Sequence, residues 1–299
     1  MRGLRMKFLI IGANGQVGYE LQRSLTPLGS VTAIDYPEIN IADADALRQY
    51  VRSQAPDVLV NAAAYTAVDK AEAEEAVALA VNGTAPGIMA EEMARSGGLM
   101  VHYSTDYVFD GKTPGARVET DAPHPLSAYG RTKLVGEQAV AAAGGAHLIF
   151  RTAWVYGRRG GNFMLTMIRL MKERDELRVV ADQHGTPTWC RTLAEIPTQI
   201  IRSHWVNEGG RDALRGASGG LYHLTNSGET TWYEYACAIR DLAPELSERR
   251  HVKVHPITTA EYPLPAPRPA FSVLDNGKLE RTFGIRAVDW REALGSVWG

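Results

Sequence analysis

Short apolar runs and longer helical patterns alternate through the first half of the chain. KFLIIG (7–12), VTAID (31–35), DVLVNAAA (57–64), LMVHYST (99–105) and HLIFRT (147–152) read as strands. Between them residues 16–28 read as a helix, with Val17, Leu21, Leu25 and Leu28 on one stripe. Further helices are predicted over 43–54, over 72–96 with an interruption near Gly83 and Pro86, and over 127–143. Strand–helix alternation of this kind builds βαβ units, and so a parallel sheet covered by helices on both faces. After Trp154 the rhythm changes. Helices are predicted over 162–173, 190–203 and 231–242, with extended stretches at LRVVAD (177–182) and GLYHLT. The polar, glycine-rich segment 207–220 reads as a surface loop, and PLPAPRPA (263–270) as an irregular, semi-rigid one.

The first strand runs into Gly12-Ala13-Asn14-Gly15-Gln16-Val17-Gly18 and then into a helix. Gly12 suits a tight turn, Gly15 a close backbone approach to a pyrophosphate, and Gly18 close packing of helix on strand. The helix N-terminus then offers free N–H groups and a positive dipole to phosphates. Asp35 ends the second strand, where an acid accepts the hydroxyls of an adenosine ribose. The fold class is therefore α/β: a Rossmann-like doubly wound parallel sheet with a smaller mixed α/β lobe. Residues 1–151 are expected to form the dinucleotide-binding domain. Residues 152–299 are expected to form mainly a substrate-binding lobe, with some strands returning to the main sheet.

Composition narrows the partners. A chain of 299 residues with net charge −2 carries no basic field for nucleic acid or anionic membranes. No apolar run approaches the ~18 residues of a membrane helix. The start, MRGLRMKFLIIG, is basic and then apolar, but Phe8 to Ile11 is too short for a signal peptide. Cys190 and Cys237 form no C-x-x-C pair, so neither a disulfide framework nor a zinc ribbon is expected, and a cytoplasmic location fits best. Asn82-Gly83-Thr84 matches a glycosylation sequon by chance. His251 and His255 alternate with valines as on a solvated strand face.

In SAYGRTK (127–133) a tyrosine stands four positions before a lysine, so on a helix Tyr129 and Lys133 share one face. A phenol titrates near ~10. A neighbouring ammonium favours phenolate and is expected to lower that value, making Tyr129 a proton donor or acceptor at working pH. Gly12 to Gly18, Asp35, Asn61 and Thr105 all fall at strand C-termini, the edge that forms the ligand crevice of an open parallel sheet.

The G-x-x-G-x-x-G form, followed by Y-x-x-x-K, resembles the short-chain dehydrogenase/reductase superfamily. NAAAYTAVDKAE (61–72), VHYSTDYVFDG (101–111), SAYGRTKLVGE (127–137), IFRTAWVYG (149–157), DQHGTPT (182–188) and RPAFSVLDNGKL (268–279) narrow it further. They resemble the dTDP-4-dehydrorhamnose reductase family from beginning to end. The resemblance implies hydride transfer to the C4 ketone of a dTDP-sugar, the last step of dTDP-rhamnose biosynthesis. It implies Thr105, Tyr129 and Lys133 as catalytic residues. It places Gly15, Gln16 and Val17 on the pyrophosphate, Asp35 on the adenosine ribose, and Asn40 and Ile41 beside the adenine. Ala64, Tyr65, Thr66 and Tyr103 would lie along the cofactor, with Lys133 on the nicotinamide ribose. Thr105, Asp106 and Trp154 would contact the sugar nucleotide, while Arg268 is expected to pin its loop. Asp35 repels a 2′-phosphate and so favours NADH, whereas the family is often served by NADPH; dual use of NADPH and NADH is expected. Some relatives use magnesium at a dimer contact, which leaves room for a homodimer. The sequence offers no carboxylate cluster for the ion, and no metal site is assigned. Two rival readings share the frame: a nucleotide-sugar epimerase or dehydratase, and a non-catalytic subunit resembling the regulatory β subunit of methionine adenosyltransferase.

Overall fold

The computed structural model describes residues 6–206 and 211–299. Its central sheet contains β1 (Met6–Ile11), β2 (Gly29–Ile34), β3 (Val58–Asn61), β4 (Leu99–Thr105), β5 (Ala146–Thr152) and a later strand, Gly220–His223. Short strands precede that later one: β6 (Val155–Tyr156), β7 (Glu176–Val180), β8 (His184–Gly185) and β9 (Thr188–Trp189), so it is β10. β11 (Thr230–Thr231) and β12 (Lys253–Ile257) follow. The sheet order is β10-β5-β4-β3-β1-β2. Every pairing within it is parallel. The order reverses after β1, and β1 carries the glycine turn at its C-terminal end, where ligands bind in such sheets.

Helices α1 (Gln16–Leu25), α2 (Ala44–Gln54), α3 (Val68–Ala71), α4 (Glu75–Leu79), α5 (Ala85–Ser96) and α6 (Ala128–Ala142) connect the strands. α7 (Phe163–Glu173), α8 (Cys190–Ile201), α9 (Arg211–Arg215), α10 (Trp232–Leu242), α11 (Gly277–Phe283) and α12 (Trp290–Ser296) complete the chain. One sheet face packs with α1 and α8 through Leu21, Leu25, Val101, Leu193 and Ile200. The other packs with α2 and α5 through Leu47, Val51, Met89 and Met93. A separate core in the smaller lobe joins α7, α10 and α12 to β7 and β12 through Met167, Met171, Ile239, Val254 and Leu294. Burial of this kind contributes roughly 25 cal/mol per Å² of apolar surface. β10 and α8 both follow residue 152 in the chain yet pack on the main sheet. The parallel pair β7–β12 belongs to the smaller lobe.

Three local departures from the sequence pattern have physical causes. The first helix ends at Leu25, and Thr26–Leu28 forms a 3-10 turn; Pro27 lacks the N–H that would continue the helix. The stretch 72–96 is not one helix, because residues 80–84 open into a π-turn between α4 and α5. That bulge turns Asn82 inward, where its side chain accepts the N–H of Tyr65 at 2.8 Å and donates to the Tyr65 carbonyl at 3.1 Å. Asn82 is buried and its amide committed, so the sequon there is not a glycan acceptor. Within the segment read as a loop, residues 211–215 form α9, while 207–210 lie outside the described residues.

Candidate active site

The turn after β1 is shaped by what it must approach. Gly12 has φ +95°, a conformation open to glycine. A Cβ there would stand 2.5 Å from the Ala63 nitrogen. At Gly18 a Cβ would stand 2.0 Å from the Gly12 carbonyl oxygen, so only glycine lets α1 sit on the turn. Gly15 caps α1 with no side-chain bond, leaving the helix N-terminus to other acceptors. Gln16 spends its side-chain carbonyl on Asn162 at 2.9 Å, so what it offers the turn is its main chain. Val17 packs on the core. Asp35 stands at the end of β2 with both oxygens engaged: the N–H of Asn14 donates at 2.9 Å and that of Tyr36 at 2.8 Å. The acid is thereby locked to the glycine turn. These residues would offer a dinucleotide main-chain N–H groups at a helix start for its phosphates and a fixed acceptor for its ribose.

Asn61 ends β3 and accepts the N–H of Ala63 at 3.1 Å, fixing the Ala62–Ala64 turn beside Gly12. Tyr65 follows, with its hydroxyl bonded to Glu74 and its main chain held by Asn82. Thr66 is exposed. Asn40 is exposed and accepts the N–H of Ala42 at 3.1 Å, while Ile41 packs on the core beneath α2. Among the described residues neither is hydrogen-bonded to the glycine turn.

Tyr103 is a correction. Its ring is buried in the core, and its hydroxyl donates to the Leu193 carbonyl of α8 at 2.5 Å. The side chain therefore points away from the crevice, and only its carbonyl reaches the site.

Thr105 and Asp106 terminate β4. The Thr105 hydroxyl donates to Asp106 at 3.0 Å and accepts the N–H of Tyr107 at 3.2 Å. The same hydroxyl lies near enough to the Tyr129 phenol to oppose the rise that burial gives it. Tyr129 occupies the first turn of α6, capped by Ser127, whose hydroxyl accepts the N–H of Gly130 at 3.2 Å. Its ring meets that of Tyr107 edge-on, with centroids 5.6 Å apart. Asp106 is buried; burial pushes its carboxyl up to about 6, and its Oδ2 has no partner.

The expected effect of Lys133 on Tyr129 is not found. Burial pushes the Tyr129 phenol up to about 12, against the lowering effect of the nearby Thr105 hydroxyl. Lys133 is itself buried, which brings its ammonium down to about 8. It donates to the Tyr103 carbonyl at 2.5 Å and lies 3.4 Å from His102 Nε2. His102 is fully buried and stays neutral, because burial and the Lys133 charge hold it well below the usual histidine range. Its Nδ1 accepts from the Asn61 amide at 3.1 Å.

The sequence reading missed three supports of this site. His102 links Asn61 to Lys133. Glu137, one turn beyond Lys133 on α6, receives Arg151 of β5 at 2.8 and 2.7 Å and the Ser104 hydroxyl of β4. Asp69 of α3 holds Arg268 through a two-pronged pair at 2.7 and 2.8 Å, which ties the proline-rich segment to α3. The only signal for the first two was polar residues inside otherwise apolar elements.

Comparison with known proteins decides the family. The sequence model described as RmlD substrate binding domain matches residues 6–298. The dTDP-4-dehydrorhamnose reductase of Burkholderia thailandensis is 48% identical over 294 residues, covering 97% of each chain. The chain belongs to the dTDP-4-dehydrorhamnose reductase family. The Escherichia coli K12 reductase is 43% identical, covering 96% of this chain and 95% of its own. Among solved structures, the Clostridium acetobutylicum reductase superposes with a TM-score of 0.88 at 40% identity, covering 98% of each chain. The Bacillus anthracis reductase, solved in complex with NADP, gives the same TM-score at 33% identity, covering 99% of each chain. The glycine turn, Thr105, Tyr129 and Lys133 thus stand in the frame of a reductase family. Among the described residues no group of histidine, cysteine or acidic side chains is arranged to hold a metal, and no helix is long and apolar enough to cross a membrane.

Proposed function

We propose that this protein reduces the C4 ketone of dTDP-4-dehydro-6-deoxy-L-mannose to dTDP-L-rhamnose, with NADPH or NADH. The observation that carries the reading is the placement of Thr105, at the end of β4, and of Tyr129, in the first turn of α6 with its ring against Tyr107, at the strand edge that also holds the Gly12–Gly18 turn. When bound, the reduced nicotinamide supplies hydride to C4. The protein's part is to hold the ketone and to supply the proton. Tyr129, neutral at working pH, donates its phenolic proton to the C4 oxygen. Thr105 shares its hydroxyl with that oxygen and with Tyr129. Asp106, with a buried oxygen lacking any partner, accepts a sugar hydroxyl. Trp154, half-buried just beyond β5, forms a wall for the sugar. Lys133 lies one turn beyond Tyr129 and meets the nicotinamide ribose. Gly15, Gln16 and Val17 receive the pyrophosphate on main-chain N–H groups, and Asp35 the adenosine ribose.

The chain is divided in function at about residue 151, with the sugar nucleotide between the sheet edge and the smaller lobe. The free cysteines Cys190 and Cys237 fit the cytoplasm. A homodimer comes with the family resemblance, and light scattering tests it. The activity itself is tested by following NADPH and NADH oxidation with the keto-sugar nucleotide and identifying the product by its sugar. No oxidation with either cofactor overturns the reading.

A further inference from the structure

Trp154 and Ala55 are the non-glycine residues with positive φ among those described, Trp154 at +47°. A bulky side chain in left-handed backbone is strained and persists only where its surroundings enforce it. Two neighbours do so here. The indole of Trp232, the first residue of α10, lies parallel to that of Trp154, with centroids 3.5 Å apart and planes 9° from each other. Trp232 is in turn backed by Phe163 of α7, at 4.6 Å between centroids. The second neighbour is Gly185, where a Cβ would stand 2.5 Å from Trp154 Cε2. The β8–β11 ribbon pairs Gly185 with Thr230, two residues before Trp232, so one short structural unit presents both neighbours. The Trp154 carbonyl accepts the N–H of Thr188 at 3.1 Å, tying the strained residue to the same lobe.

The place of this stack gives it meaning. Trp154 lies two residues past Thr152, which pairs with Thr105 in the sheet. A strained aromatic thus stands at the rim that carries the proton donor, held there by groups that lie outside the crevice motifs. A 6-deoxyhexose presents C–H groups and a methyl to its surroundings, and a fixed indole is a suitable apolar surface for them. We propose that Trp232 is a positioning residue for sugar-nucleotide binding: by stacking, it holds the Trp154 indole in the place where the deoxysugar rests. The inference rests on the reading of Trp154 as a sugar contact.

The test compares Trp154→Ala, Trp232→Ala, Trp232→Phe and Gly185→Ala with the unaltered protein. Each is assayed for KM of dTDP-4-dehydrorhamnose, KM of NADPH and kcat, and for the tryptophan exciton couplet in far-ultraviolet circular dichroism. Trp154→Ala and Trp232→Ala should both abolish the couplet and raise the sugar KM about tenfold, with the NADPH KM little changed. Trp232→Phe, which keeps a stacking ring, should restore most of the sugar affinity. Gly185→Ala should raise the sugar KM while both indoles are present, and it keeps the proposal testable if Trp232→Ala does not fold. A raised sugar KM in Trp154→Ala with an unchanged one in Trp232→Ala and Gly185→Ala would overturn the positioning role alone. An unchanged sugar KM in Trp154→Ala would remove the sugar contact on which the proposal stands. Equal rises in both KM values for Trp232→Ala would mark general loss of structure and also refute it.

Discussion

Lys133 places its ammonium 2.5 Å from the carbonyl oxygen of Tyr103, and Tyr129, one turn earlier on the same helix, is held in burial that raises its phenol to about 12. The phenol is therefore a neutral acid before any substrate arrives. A reduction needs the proton-bearing form, and at about 12 the phenol carries its proton throughout the working range. Tyr129→Phe keeps the ring and removes the proton. It should lower kcat by ~10²–10⁴-fold, the usual worth of positioned proton transfer. NADPH binding followed by fluorescence should stay within a few-fold, and a kcat loss below tenfold would show that another group supplies the proton.

The pH profile of kcat/KM should be bell-shaped, since it reports groups of the free enzyme. Asp106 sits at about 6, so below that value it carries a proton and can no longer accept freely from a sugar hydroxyl. Activity should fall as pH drops through about 6. Lys133 sits at about 8, so above that value its positive charge is lost. Activity should fall again as pH rises through about 8. Tyr129, at about 12, adds no limb in the working range. Asp106→Asn should remove the acidic limb and leave the alkaline one in place; if both limbs survive, Asp106 is not the group observed.

Buried neutral histidines make stability sensitive to acid. His102 is held well below its ordinary value and His223 near about 3, in both cases chiefly by burial. An unfolded histidine takes a proton near ~6.5. Below that pH the unfolded chain binds protons that the folded one refuses, so stability falls as pH falls, by up to about 1.4 kcal/mol per pH unit for each residue. Asp106 acts the other way between its ordinary range and about 6, because the folded state holds its proton more firmly. Two groups outweigh one, and urea unfolding should show a lower midpoint at pH 5 than at pH 7. His223→Gln should flatten that slope, while an unchanged slope in this variant would assign the loss to other groups.

The two carboxylate oxygens of Asp35 are bound by main-chain N–H groups of Asn14 and Tyr36, so the acid has little freedom to swing from a 2′-phosphate. Removing its charge should favour NADPH. Asp35→Asn is expected to shift the ratio of NADPH to NADH in kcat/KM about tenfold toward NADPH, roughly the 1.4 kcal/mol of one like-charge contact. A shift toward NADH would mean that the carboxylate does not face the ribose.

Chemistry that depends on local spacing was legible in the sequence; chemistry that depends on distant pairs was not. Gly12 and Gly18 are readable because a turn and a helix start demand glycine within a few residues. Thr105, Tyr129 and Lys133 are readable because strand ends and helix faces carry them to one edge. The direction of the Lys133 side chain is not, since it depends on the Tyr103 carbonyl and His102, thirty and thirty-one residues away. Tyr103 is implied as a cofactor neighbour by the family resemblance alone, yet α8, ninety residues later, draws its hydroxyl into the core. Asn82 read as part of an interrupted helix, and its tie to the Tyr65 main chain lies beyond the reach of the local pattern. Trp232 carried no signal at all, because its stacking partner lies in another element.

The buried pair Glu137–Arg151 offers the sharpest separation of stability from chemistry. Both side chains are almost wholly buried, at 6% and 3% exposure, so neither can be compensated by water. Glu137 lies one turn past Lys133 and two past Tyr129 on α6, and Arg151 and Ser104 fasten it to β5 and β4. The pair thus fixes the height of the catalytic helix against the strands that end at Thr105 and Thr152. Arg151→Met alone strands a buried carboxylate and should cost about 3–5 kcal/mol. In a chain of this length that lowers Tm by of order 10 °C. Replacing both members, Glu137→Leu with Arg151→Met, leaves no orphan charge, and an apolar pair in their place is often neutral or stabilising. The double variant should therefore recover most of the lost Tm. Its kcat should stay reduced, because the fork that orients α6 is gone while the core is intact. Equal loss of Tm in the single and double variants would show that the pair stabilises by more than mutual neutralisation. Full recovery of kcat would show that α6 holds its position without it.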